Sequence, residues 1–129
     1  MPAPKTNYRA WLQKAEHDFL NIANNLSAAE IPWDTVCFHA QQAAEKILKA
    51  FLIYHGQPLT RTHDLVALLA ACVGIDPTLV VLEYDCRKLT YFAVSSRYPD
   101  DLFEPSELEG REMLRAARRI QVQIVARLP

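Results

Sequence analysis

Glycine is scarce in this chain, with three residues among 129. Eight prolines fall mostly between periodic apolar segments, the pattern of helices joined by short, punctuated links. Strand-like alternation of apolar and polar residues is absent. The three cysteines, Cys37, Cys72 and Cys86, share no C-x-x-C spacing, and each sits inside an apolar helical pattern. That argues against a disulfide framework or a thiolate zinc site and leaves them as small core residues. No apolar run approaches the roughly 18 to 20 residues that span a bilayer, and no hydrophobic signal segment follows Met1-Pro2-Ala3-Pro4-Lys5. A soluble cytoplasmic protein without membrane contact is the expectation. Excess charge of one sign is missing too. The formal net charge is -1, so the molecule as a whole lacks the field of a general nucleic-acid binder, and RNA contact would need a local basic patch. No P-loop, Rossmann fingerprint, H-E-x-x-H or G-x-S-x-G occurs.

What is present is apolar material in helical register. Hydrophobic residues make up 50% and charged residues 22%, enough for one buried core in a single domain spanning residues 1–129. A first helix beginning after Thr6 carries Tyr8, Trp11, Leu12, Ala15, Phe19, Ile22, Ala23 and Leu26 at three-four spacing. A second, from about Trp33 to Tyr54, is opened by Pro32 and closed by Gly56 and Pro58. A shorter third fits Asp64 to Val73 with Gly74 as its stop. Asp76-Pro77 reads as the N-cap and first turn of a fourth helix running through Leu79, Leu82, Cys86, Leu89 and Phe92. Ser95 to Pro105 reads as a loop, and Ser106-Glu107-Leu108-Glu109 has capping-box spacing for a last helix through Leu128. The expected fold is all-α, an up-and-down antiparallel bundle of four long helices plus one short helix.

Three segments hold the candidate functional residues. At about 100° per residue, Thr35, His39, Gln42, Lys46 and Lys49 share a stripe of the second helix roughly opposite its apolar face, which predicts a solvent- or partner-facing surface with a Glu45-Lys49 pair. Gln41 lies nearer the apolar edge, where its amide has a neighbouring helix or loop to bridge to. In Thr62-His63-Asp64, Thr62 or Asp64 suits a helix cap. His63 is either a structural donor there or an acid, base or anion contact. Arg97-Tyr98-Pro99-Asp100 lies in the loop, where Arg97 offers a fork for phosphate or carboxylate unless Asp100 or Asp101 occupies it. Arg111, Arg115, Arg118 and Arg119 on the last helix fit either an RNA-backbone face or a solvated, salt-bridged surface. His17, His39, His55 and His63 have no partner at metal-ligand spacing, so neither metal nor cofactor is expected.

His39-Ala40-Gln41-Gln42-Ala43-Ala44-Glu45-Lys46-Ile47-Leu48-Lys49-Ala50, followed by Thr62-His63-Asp64-Leu65 and Arg97-Tyr98-Pro99, resembles the HEPN family, the higher-eukaryote and prokaryote nucleotide-binding domain. The likeness extends over nearly the whole chain, including an opening helix with Trp11, Ala15 and Asp18. It implies a helical bundle that homodimerises, often encoded beside a minimal nucleotidyltransferase in a toxin-antitoxin-like pair. Many members of the wider family are metal-independent ribonucleases that use an arginine followed four to six residues later by a histidine. Here the last histidine is His63, so neither Arg87 nor Arg97 is followed by one. Arg61 precedes His63 by two residues, and Arg9 precedes His17 by eight. The resemblance thus implies a nucleotide- or partner-binding site at His63, Arg97, Tyr98, Gln42 and Lys46 rather than that catalytic pair. A ribonuclease with a divergent site, using Arg97 with Tyr98 or His63, is the alternative.

Overall fold

The structure, a computed structural model, describes residues 7–59, 61–95 and 104–129. Every regular element among the described residues is helical: α1 (Tyr8–Leu26), α2 (Trp33–Tyr54), α3 (Leu65–Ile75), a 3-10 segment (Pro77–Leu82), α4 (Glu83–Ser95) and α5 (Glu107–Val125). None of these helices is long and apolar enough to cross a membrane.

Local chemistry accounts for the boundaries. Beyond α2, Gly56 takes φ 76°, a left-handed conformation that costs glycine nothing. Its amide donates to the Ile53 carbonyl and that of Gln57 to Leu52, which satisfies two carbonyls the helix end would otherwise leave open. Asp64 caps α3 by accepting from the amides of Val66 and Ala67 at 2.9 and 3.4 Å. Ser106 and Glu109 form a reciprocal capping box at α5, with bonds of 3.1 and 2.9 Å.

Three boundaries differ from the sequence reading, one of them the end of α5, which stops at Val125 instead of continuing through Leu128. Gly74 does not stop α3, because it keeps a negative φ and the helix continues to Ile75. The stop is Asp76, held extended ahead of Pro77. Asp76-Pro77 then opens the six-residue 3-10 segment, and α4 proper starts at Glu83.

The α2 helix is the axle of the bundle, packed against α1, α3, α4 and α5. Ile47, Leu48 and Phe51 are buried with Ile22, Leu65, Leu79, Leu89, Met113 and Ile120 in one continuous core. The cysteine thiols belong to this core, and burial pushes each up to about 12. At the N-terminus of α2, Gly110 lets α5 approach Trp33 so closely that a Cβ there would overlap the indole.

Candidate functional site

The polar residues of α2 form one continuous arc of roughly 160° about its axis, in the order Gln41, Glu45, Lys49, Gln42, Lys46, His39. The sequence reading turned half of this arc, Thr35, His39, Gln42, Lys46 and Lys49, towards solvent or a partner, away from the core. The structure corrects that: Lys49 is buried, and Thr35, His39, Gln42 and Lys46 are only partly exposed. The physical reason is the central position of α2, which leaves α1 and the segment before α3 to lie over its polar side. Charges covered in this way need partners, and two carboxylates supply them.

Asp18 of α1 is the first. It is buried, and its oxygens meet Lys46 Nζ at 2.6 Å and His39 Nδ1 at 2.8 Å. The second is Glu45 of α2 itself, buried and contacted by Lys49 Nζ at 3.1 Å, His63 Nδ1 at 3.0 Å and Gln41 Nε2 at 3.4 Å. The Glu45-Lys49 pair is present as the i,i+4 spacing predicts, but with both side chains buried rather than solvated. Lys49 Nζ also lies 5.8 Å from the centre of the Trp11 ring.

Gln41 joins the second cluster to the backbone. Its amide donates to the His63 carbonyl at 3.2 Å, the bridge from helix to loop expected of it, while its oxygen accepts from Gln42 at 2.8 Å. His63 and Gln42 therefore share one network. Lys46 belongs to the neighbouring Asp18 cluster, where its charge is matched by a carboxylate. Arg97 and Tyr98 lie outside the described residues.

The two imidazoles are prepared for different work. Carboxylate oxygens accept, so each Nδ1 donates and the neutral ring carries its free lone pair on Nε2. His39 has only 22% of its side chain exposed, but His63 has 64%, so its Nε2 is reachable from solvent. This geometry gives His63 a fixed orientation and an accessible acceptor, or a donor when protonated. Among the described residues no group of three or more His, Cys, Asp or Glu side chains is placed to hold a metal ion.

Asp18 and the Glu45-Lys49 pair organise the site, although the sequence reading took the pair for a solvated surface contact and gave Asp18 no part in it. The sequence holds one signal for Asp18, which occupies a position of the apolar stripe Trp11, Ala15, Asp18, Ile22. An acid in such a stripe is either buried with a partner or a break in the face.

On α5 the arginines form mainly a salt-bridged surface. Arg119 holds Asp85 at 2.8 and 3.1 Å and Glu112 at 2.7 Å, and Glu112 also binds Lys88 at 2.7 Å and Arg115 at 3.1 Å. Hydrogen bonds from Lys88 and Arg119 hold the Glu112 carboxyl down to about 2. A carboxyl depressed in the fold adds stability above its ordinary value, here 4.5, and that contribution is lost as pH falls towards 2. Glu112→Gln should therefore flatten the fall in melting temperature between those two pH values, measured by circular dichroism on variant and wild type in parallel. Equal slopes would show that Glu112 is not responsible.

A family model described as HEPN domain matches residues 8–125. The chain is also similar to TT1696 from Thermus thermophilus, known from a crystal structure, with 27% identity and a TM-score of 0.78 over 95% of this chain and 98% of that one. No curated protein matches.

Proposed function

Because the chain belongs to the HEPN domain family, we propose that it is a binding module that homodimerises and acts with a minimal nucleotidyltransferase partner in a toxin-antitoxin-like pair in the cytoplasm. Nucleotide is the candidate small ligand, with His63, Gln42 and Lys46 as its contacts, together with Arg97 and Tyr98 outside the described residues. Substrate-level catalysis is no part of this reading, since no histidine follows Arg87 or Arg97.

The observation that carries the reading is the character of α3. Its eleven residues, LVALLAACVGI, include no charged side chain, yet Ala67, Ala70, Ala71 and Gly74 are exposed. A surface helix ordinarily presents charged or polar residues on its outer face. Beside α3 lies a shallow depression of about 250 Å³ walled by Leu69, Val73 and Val80, with Glu83, paired to Arg87, at its edge. A two-fold contact brings a patch against its own copy, and the small, uncharged face of α3 does this without like-charge repulsion.

Sedimentation equilibrium tests the reading. The wild type should be a dimer, and Ala70→Glu should weaken it about 100-fold or more by placing an unpaired carboxylate in each half of the contact. The wild-type dimer should then co-purify with a co-expressed nucleotidyltransferase-type protein. A chain that stays monomeric and ignores that partner would sink the proposal.

One observation favours the alternative, ribonuclease activity at a divergent site: the exposed His63 imidazole oriented by Glu45. Cleavage of labelled RNA that disappears in His63→Ala would establish it. Cleavage unchanged in that variant would remove His63 from any such role.

A further inference from the structure

Between the 3-10 segment and α5 runs a groove of about 570 Å³. Val81, Leu82, Leu114 and Val122 give it apolar walls, and Arg115, Arg118 and Arg119 stand along its rim. Val81 is 66% exposed and Val122 64%, so the groove is open along its length rather than closed over a small molecule. From Leu114 to Gln123 it follows α5 for about 14 Å, room for apolar anchors at i, i+3 or i+4, and i+7 of a docked helix.

We infer that this groove docks an acidic amphipathic helix of a different protein. Charge selects the occupant. Three arginines line the groove against one acid, Asp85. Arg119 and Arg115 are engaged by Asp85 and Glu112, but Arg118 is in no ion pair among the described residues. Its guanidinium lies 3.8 Å from the centre of the Phe19 ring and donates to the neutral Gln121 side chain at 2.8 Å. A cation held over an aromatic ring at the edge of an apolar trough is oriented at little entropic cost for a partner's carboxylate.

A second copy of this chain is the poorer occupant, because a two-fold contact here would oppose one arginine rim to another. RNA is poorer too, since it would leave Val81 and Val122 without an apolar partner. The inference rests on the reading of the chain as a partner-binding module, but it uses a different face from α3.

Selection of the full-length chain against a displayed library of helical peptides tests it, followed by titration calorimetry on the enriched peptides. Enriched sequences should carry Leu or Phe at helical spacing flanked by Asp and Glu. Val122→Asp should weaken them about tenfold or more, and Arg118→Ala should weaken them less while reducing the salt dependence. Both side chains are exposed, and circular dichroism of each variant confirms that the fold is kept. Three results would overturn the inference: no enrichment or enrichment of basic peptides, binding indifferent to both substitutions, or a single-stranded RNA bound through Arg118 but not Val122. Loss of self-association in Val122→Asp would likewise overturn it, by making the second copy the occupant. Loss confined to Ala70→Glu would leave it standing and concern α3 alone.

Discussion

Replacement of Glu45 by alanine should destabilise the protein by about 3–5 kcal/mol, the cost of leaving a buried charge without its counterpart. Lys49 is the group left behind. Its side chain is only 7% exposed, and Glu45 is the only carboxylate with which it forms an ion pair among the described residues. The same substitution frees the His63 imidazole and removes one acceptor of the Gln41 amide. Urea unfolding followed by far-ultraviolet circular dichroism reads the effect as a lower midpoint. The informative comparison is the double variant Glu45→Met with Lys49→Met, which removes both charges and fills their volume. It should recover most of the loss, because a buried pair contributes little net stability over a well-packed apolar pair. A double variant as unstable as the single one would place the energy in the contacts to His63 and Gln41 instead.

Gly110→Ala should also destabilise, by about 1–3 kcal/mol, although alanine is the better helix former by about 1 kcal/mol. The decision lies in space. The new methyl would overlap Trp33 Cε3 and come within 3.1 and 3.2 Å of Cζ3 and Cδ2. An indole is too rigid to yield by bending, and the Arg111 guanidinium lies 5.3 Å from its ring. Either the indole leaves its seat or α5 moves off α2. Thermal unfolding checks the sign, and tryptophan fluorescence shows which occurs. Gly74→Ala is the control, since nothing lies within 4 Å of a Cβ at that position. An unchanged or higher melting temperature for Gly110→Ala would show that the contact relaxes freely.

Local chemistry made the helices legible. The span of α2, Trp33–Tyr54, follows from Pro32 at one end and Gly56 at the other, and the start of α5 follows from its capping box. The Gly74 stop was misread because a glycine ends a helix only where it turns left-handed, and Asp76-Pro77 had already provided the end. At the candidate site the residue types were legible and their surroundings were not. Asp18 meets Lys46 across 28 positions, and Glu45 meets His63 across 18. Helical periodicity places side chains around one axis and does not report which second helix covers them. The polar arc of α2 therefore looked like surface, when α1 and the segment before α3 enclose it.

The Asp18 cluster also fixes position along the bundle. On the side of α2 that carries Lys46 and His39, Ala43 and Ala50 are fully buried, and α1 contributes the fully buried Ala15. Smooth small-residue faces offer nearly equivalent packing after a slide of one helical turn, about 5.4 Å. Such a slide would separate Asp18 from Lys46 and His39 together and strand a carboxylate in the interior. The cluster thus acts as a detent: it selects one axial setting of α1 on α2 from several that apolar packing alone would accept.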